Sequence, residues 1–271
     1  MILNSVVVTA YNSSKYIAHA LESIYEQTIL PDEIILVDDA SADVSELEVL
    51  VKAYAVRSEV PSIRLIQLDK NVGPGSARNV GYEHCTGKFV SFLDADDAWC
   101  TEKISYVMAA IEAKPHADVL FHRYAPKPEN IPKNTESVPE FSEVDYRYYL
   151  SGNIHPPTVS VNRSRFPEFR FSDGRRYSED FATFYLAMSV GRTFVLINRV
   201  LAHGYKAAIG EAGLSANVFR MHSGYISACL MLLQKVDHRA KMVLISMMIL
   251  EYFKFPIRLF KLGYRRIDTS N

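Results

Sequence analysis

This sequence of 271 residues has few features that mark a class at once. It holds three cysteines, Cys85, Cys100 and Cys229. Their odd number and lack of metal-ligand spacing fit reduced thiols in a cytosolic compartment, and no zinc site is indicated. The longest apolar segment, 242–250, is roughly half of the ~20 residues a membrane-spanning helix needs, so no span is expected. No basic region, long apolar stretch and small-residue cleavage site opens the chain, so a signal peptide is not expected either. A formal net charge of −1 gives no global reason to expect nucleic acid as a partner. No G-x-G-x-x-G follows the first apolar run, which argues against a dehydrogenase. Internal repeats and low-complexity tracts are absent.

What is present is a globular composition, 48% apolar, enough to fill one large core or two joined halves. Four short apolar runs, Val6 to Thr9, Glu33 to Val37, Ile63 to Leu68 and Lys88 to Leu93, alternate with helix-like segments. In the first helix Ser13 or Ser14 is placed to cap, and Ile17, Ala20, Leu21 and Ile24 share one face. Such β-α-β-α order predicts an α/β fold with a mainly parallel sheet, whose ligands collect at the carboxyl ends of the strands. Further strands are expected at Asp118 to His122 and Thr158 to Asn162. Pro126, Pro128, Pro132 and Pro139 mark a surface excursion. Helices are expected between Ser142 and Leu150 and over Glu179 to Val190. From Gly224 to Leu262 the pattern is one long helix that Pro256 should break or kink.

Three polar clusters fall at successive strand ends. Asp94, Asp96 and Asp97 end the fourth run, and Asp94 and Asp96 flank the single small residue Ala95. Two carboxylates so spaced can approach a hard divalent cation, Mn²⁺ or Mg²⁺, which a departing diphosphate needs. The alternative is a capping cluster ahead of a helix over Trp99 to Ile111. Asp38, Asp39 and Ser41 end the second run, where they can accept from a base N–H or a ribose hydroxyl. The segment Asn71 to Asn79 follows the third run, with Gly73 and Gly75 for close backbone approach and Arg78 suited to phosphate. Glu179-Asp180 reads as a base for an attacking sugar hydroxyl or as the cap of the following helix.

Together, Val8-Thr9-Ala10-Tyr11-Asn12, Val37-Asp38-Asp39-Ala40-Ser41, the Asn71 to Asn79 loop, Phe92-Leu93-Asp94-Ala95-Asp96-Asp97, Tyr177-Ser178-Glu179-Asp180 and Gly213-Leu214-Ser215-Ala216-Asn217 resemble the ordered signature of family 2 glycosyltransferases. The resemblance covers roughly residues 5 to 220. It implies an inverting enzyme of the GT-A fold that uses a nucleotide-sugar in bacterial surface polysaccharide assembly, with UDP the family-level expectation for the nucleotide. It implies that Thr9, Tyr11 and Asp39 contact the nucleoside and that Arg78 lies near the sugar phosphate. Asp94 would approach the ribose or metal, Asp96 would be the direct metal ligand, and Asp180 the general base with Glu179 orienting it. Tyr205-Lys206 stands where many relatives carry His-Lys, so His203 becomes the candidate third metal ligand. His155 is a candidate for the acceptor cleft. No Q-x-x-R-W segment is present, which argues for transfer of one sugar per encounter.

Read this way, residues 1–100 form the nucleotide-sugar-binding half, 101–223 the acceptor-binding and catalytic half, and 224–271 a C-terminal helical segment. Eight Lys or Arg residues between Lys235 and Arg266, against Asp237 and Glu251, make that segment a packed helix with a solvated face or an amphipathic element on an anionic membrane surface. The second reading places the protein in the cytoplasm, peripheral to the inner face of the membrane, beside a glycan or lipid-linked acceptor. Two other functions remain open. One is a sugar-phosphate nucleotidyltransferase, though Thr9-Ala10-Tyr11-Asn12-Ser13 is unlike its Gly-rich, Arg-containing loop; the other is a non-catalytic nucleotide-sugar-binding subunit.

Overall fold

The computed structural model describes residues 4–56, 61–132, 140–205 and 217–268, with side chains of the last helix described to residue 260. Lys206, Pro139 and the Gly213 to Ala216 part of the signature lie outside the described residues, as do the side chains of Lys261, Arg265 and Arg266.

One sheet of nine strands organises the chain, in the order β3-β2-β1-β4-β8-β6-β9-β5 with β7 also on β9. Strands β1 (Asn4–Ala10), β2 (Glu33–Asp38), β3 (Ser62–Gln67) and β4 (Phe89–Asp94) are mutually parallel. They are joined by helices α1 (Ser14–Tyr25), α2 (Val44–Ala55) and α3 (Pro74–His84). Alternate residues of these strands enter opposite cores: Val7, Ile35, Val37 and Phe92 pack on one face, Val6, Val8, Ile34 and Leu36 on the other. Both faces of β1, β2 and β4 are therefore covered, as parallel strands require, which leaves their ends to meet a ligand.

The second half departs from the parallel pattern. Strand β8 (Val159–Asn162) runs antiparallel to β4 and to β6 (Val119–Ala125), while β9 (Phe194–Gly204) is parallel to β6. The far end of β9 pairs antiparallel with β5 (Asp97–Trp99), and its start pairs with β7 (Phe141–Val144). Helix α4 (Lys103–Ala113) follows β5, and α5 (Glu179–Ser189) precedes β9.

Four local expectations change. The acidic segment is not a helix cap, because Asp97–Trp99 is a strand and α4 starts only at Lys103. The Ser142 to Leu150 stretch is strand β7 followed by a 3-10 turn over Tyr146–Leu150, not one helix. Ser13 precedes α1, but its Oγ accepts from Tyr11 N at 3.0 Å rather than from the helix. The C-terminal pattern is two helices, α6 (Val218–Leu233) and α7 (His238–Asp268), and α7 runs through Pro256. Proline removes the hydrogen bond to the carbonyl four residues back. That residue is Tyr252, which lies on the exposed side where water can take its place.

Candidate active site

The carboxyl ends of β1, β2 and β4 open into loops that are tied to each other. Asn12 N donates to Ser41 Oγ at 2.9 Å, Ala42 N to Asn12 Oδ1 at 2.9 Å, and Ser14 N to Asp43 Oδ2 at 2.9 Å. Ser41 N in turn donates to Asp38 Oδ2 at 3.1 Å. Asn12 (φ 48°), Ala40 (φ 59°) and Ser178 (φ 57°) hold the left-handed region without being glycine. Each such residue costs about 1–3 kcal/mol, and all three stand beside a signature carboxylate or its loop. The cross-ties hold that strained geometry in place. Tyr11, 49% exposed, projects from this rim.

Asp39 fastens the third loop. Its two carboxylate oxygens accept from Val72 N at 2.7 Å and Gly73 N at 2.9 Å. Gly73 has φ 89°, a conformation that suits glycine, and leads into Pro74 at the start of α3. Burial raises the Asp39 pKa despite the two backbone donors.

Arg78, on α3, is the hub of the site and only 4% exposed. Its NH2 donates to Asp94 Oδ1 at 2.7 Å and Oδ2 at 2.9 Å, its Nε to Asp94 Oδ1 at 3.2 Å, and its NH1 to Glu179 Oε1 at 2.9 Å. Burial opposes the guanidinium charge, but Asp94 and Glu179 outweigh it and hold the pKa above the ordinary value. In this arrangement Arg78 binds two carboxylates rather than a phosphate. Thr9 Oγ1 also donates to Asp94 Oδ1, at 3.1 Å. Asp94 thus faces a cation and a hydroxyl.

Ala95 N donates to Thr9 O at 3.0 Å, and Tyr205 N to Asp96 O at 3.0 Å, which fix the acidic turn between β1 and β9. Asp97 is buried, and burial together with the charges of Asp94 and Asp96 raises its pKa well above the carboxylate range. Tyr124 Oη donates to Asp97 Oδ1 at 2.7 Å, and the Tyr124 ring lies 5.0 Å from that of His155. Burial lowers the His155 pKa even though Asp180 and Asp94 pull it upward. The imidazole therefore lies within electrostatic reach of both carboxylates.

Glu179 and Asp180 open α5. The Glu179 pKa is pushed up to about 7 by burial and by the charge of Asp180, against the pull of Arg78. Gly75 makes its position possible, since a Cβ there would lie 2.8 Å from Glu179 Cγ. Asp180 Oδ1 accepts from Phe181 N at 2.7 Å, so the residue takes part in the helix start and remains half-buried beside Arg78, Glu179 and His155.

The structure therefore joins Thr9, Arg78, Asp94 and Glu179 by direct bonds and sets Asp180 beside them. Asp38, Asp39, Ser41 and Gly73 form the adjoining rim. His203 is buried, packs on Tyr205 with ring centroids 5.0 Å apart, and has a pKa lowered by burial. Its Nδ1 is buried with no hydrogen-bond partner among the described residues. Among the described residues no three His, Cys, Asp or Glu side chains are grouped to hold a metal. Tyr124 and Asn79 were not legible as site residues. Asn79 Nδ2 donates to Phe171 O at 2.9 Å and Asp173 Oδ1 at 2.8 Å, tying α3 to the segment before α5.

The chain is similar to known proteins in sequence and in fold. The profile of the family described as Glycosyl transferase family 2 matches residues 5–187. The amylovoran biosynthesis glycosyltransferase AmsB of Erwinia amylovora is 30% identical over 73% of this chain and 68% of its own. The succinoglycan biosynthesis protein ExoO of Rhizobium meliloti is 27% identical over 88% of this chain, which spans 65% of that relative's length. A crystal structure of Staphylococcus aureus TarS residues 1–349 in complex with UDP-GlcNAc superposes with a TM-score of 0.68 at 23% identity, over 93% of this chain and 73% of that one. It shares the GT-A fold. The family match over residues 5–187 and the 30% identity to AmsB show that the chain belongs to glycosyl transferase family 2 and is a glycosyltransferase.

Proposed function

We propose that this enzyme moves one sugar, with inversion, from a UDP-sugar to a glycan or lipid-linked glycan acceptor in assembly of a surface polysaccharide. The observation that carries the reading is the Arg78 hub. It joins Asp94, at the end of a strand of the nucleotide half (residues 1–100), to Glu179, beside Asp180 in the acceptor half (101–223). Support for UDP and for polysaccharide assembly comes from TarS in complex with UDP-GlcNAc and from the names of AmsB and ExoO.

In this reading Tyr11 offers a face to the base, Asp38, Asp39 and Ser41 line the nucleoside rim, and Asp180 takes the proton of the acceptor hydroxyl. A carboxylate suits that task once it lies within hydrogen-bond reach of the hydroxyl. Glu179, held by Arg78, sets the position of Asp180 at the start of α5.

The donor set fits a magnesium or manganese ion that arrives with its substrate. Such ions are commonly held by one or two carboxylates plus substrate phosphates rather than by an all-protein cage. Asp96 would hold the ion, with Asp94 beside it and His203 Nδ1 as a further donor. When bound, the ion offsets negative charge on the leaving diphosphate.

The outer face of α7 exposes Met242, Ile245, Ile249, Phe253 and Phe260, flanked by Lys241 and Lys254. This stripe favours an anionic membrane surface as the place where the acceptor is met. Arg258 contributes less, because Glu251 Oε1 lies 3.2 Å from its NH1. Among the described residues no helix is long and apolar enough to cross a membrane.

A donor-hydrolysis panel tests the reading: UDP-, GDP- and dTDP-sugars, each with Mn²⁺, Mg²⁺ or EDTA. Turnover of a UDP-sugar that stops in EDTA and in Asp96→Ala is expected. Turnover of a GDP- or dTDP-sugar alone, or equal rates in EDTA, would overturn the donor or the metal assignment respectively.

A further inference from the structure

A cleft of about 720 Å³ lies away from the acidic turn, between α5, the end of α6 and the segment 165–172. Its walls differ in character. Phe166, Ala182, Leu186, Ala187 and Met231 supply an apolar floor, while Arg165, Arg170, Arg192 and Lys235 stand around it with only Asp118 and Glu168 as carboxylates. Such a volume is within the range of sites for small organic ligands.

Arg170 is taken up by Glu83 and by Asp173, the latter at 3.4 Å, whereas the other cations are only partly satisfied. Arg165 meets Asp118 through Nε alone, at 3.2 Å, which leaves its two terminal nitrogens toward solvent on a half-exposed side chain. Lys235 is exposed and has no carboxylate partner among the described residues. Arg192 pairs with Glu168 and lies over the Phe166 ring, 4.3 Å from its centroid, so that it borders both the apolar floor and the charged edge. Guanidinium forks suit phosphate and carboxylate oxygens.

The cleft also shares a wall with the catalytic helix. Thr183, which lines it, donates to Glu179 O at 2.7 Å and accepts from Ser172 N at 2.9 Å. At about 1.5 Å rise per residue, Thr183 stands roughly 4.5 Å along α5 from Asp180. A molecule seated in the cleft therefore lies against the same helix that presents the base.

We propose that this cleft binds an amphiphilic anion, a phosphate or diphosphate joined to an apolar chain, with the anion at Arg165 and Lys235 and the chain on Phe166, Leu186 and Met231. The identification of that molecule as the carrier end of the acceptor rests on the reading under Proposed function; the binding site does not.

Farnesyl diphosphate, inorganic pyrophosphate and farnesol, each titrated calorimetrically into the full chain in EDTA with saturating UDP, test the proposal. UDP keeps the probes out of the nucleotide site. Farnesyl diphosphate should bind at least 10-fold more tightly than pyrophosphate or farnesol, and Arg165→Gln with Lys235→Gln should weaken it by about 10-fold while leaving UDP-sugar hydrolysis unchanged. Equal binding of pyrophosphate and farnesyl diphosphate would remove the apolar floor from the site. No binding, or binding that the double variant does not weaken, would overturn the proposal. Loss of UDP-sugar turnover in the unaltered chain would instead count against the proposed function, since hydrolysis is read separately. Leu186→Ser, which keeps the charged edge, should lower affinity for farnesyl diphosphate alone.

Discussion

Arg78 NH1 lies 2.9 Å from Glu179 Oε1, a bond between residues that stand a hundred positions apart in the chain and on two different helices. The other side of the same guanidinium grips Asp94, so one buried cation serves two carboxylates from the two halves of the site. Removing one partner of a buried ion pair typically costs about 3–5 kcal/mol, because the remaining charge is left uncompensated. Arg78→Met should lower stability by that order and abolish turnover. Arg78→Lys keeps the charge but not the fork and should recover only part of the stability. Urea denaturation of the two variants checks this; near-normal stability of Arg78→Met would show that the hub does not hold the halves together.

The Glu179 carboxyl gives a pH dependence with a definite sign. Its pKa rises from 4.5 toward about 7 on folding, so the folded chain holds that proton more tightly than the unfolded one. Its contribution is fully present below about pH 4.5 and is lost as pH rises through about 7. At 1.36 kcal/mol per pKa unit, the span corresponds to roughly 3 kcal/mol. Glu179→Gln should flatten the fall in Tm over this window relative to the unaltered chain. Parallel Tm profiles for the two would contradict the raised pKa.

Much of the donor side was legible because it is local. Each of β1 to β4 is a short apolar run, so Asp39 and Asp94 could be placed at strand ends, and Arg78 in the segment after the third run, from order alone. The partners of those residues were not legible. Nothing near Arg78 in sequence indicates that Glu179 will reach it, and an exposed arginine suited to phosphate has the same local pattern as a buried one. The Tyr124 to Asp97 bond depends on β9, which lies beside β6 and carries β5 at its far end, a pairing that no local periodicity encodes. The C-terminal segment was misread for a related reason. Its break falls between Leu233 and His238, at a polar stretch with no Gly or Pro to mark it, while Pro256 lies on an exposed side of α7 that tolerates it.

The outer face of α7 makes membrane attachment testable. Co-sedimentation with vesicles containing anionic lipid should occur at low salt and weaken as salt rises. Each lysine near the surface contributes about 1 kcal/mol, so Lys241→Gln with Lys254→Gln should lower binding by at least 10-fold. Ile249→Ser with Phe253→Ser, both exposed positions, should do the same without changing donor hydrolysis. If the unaltered chain stays in the supernatant at low salt, the stripe serves another purpose.

The central claim is that Asp180 takes the acceptor proton in a single in-line displacement. Asp180→Asn keeps the size of the side chain and removes its basicity, so the transfer rate should fall by about 10²–10⁴-fold, the usual contribution of a general base. Donor affinity should barely change, because the lost interaction belongs to the transition state. The most direct measurement pairs NMR of the product's anomeric configuration with the transfer rate of Asp180→Asn. The account predicts a product inverted relative to the donor and a variant that binds UDP normally but turns over at least a hundredfold more slowly; retention of configuration, or turnover near that of the unaltered enzyme, would contradict it.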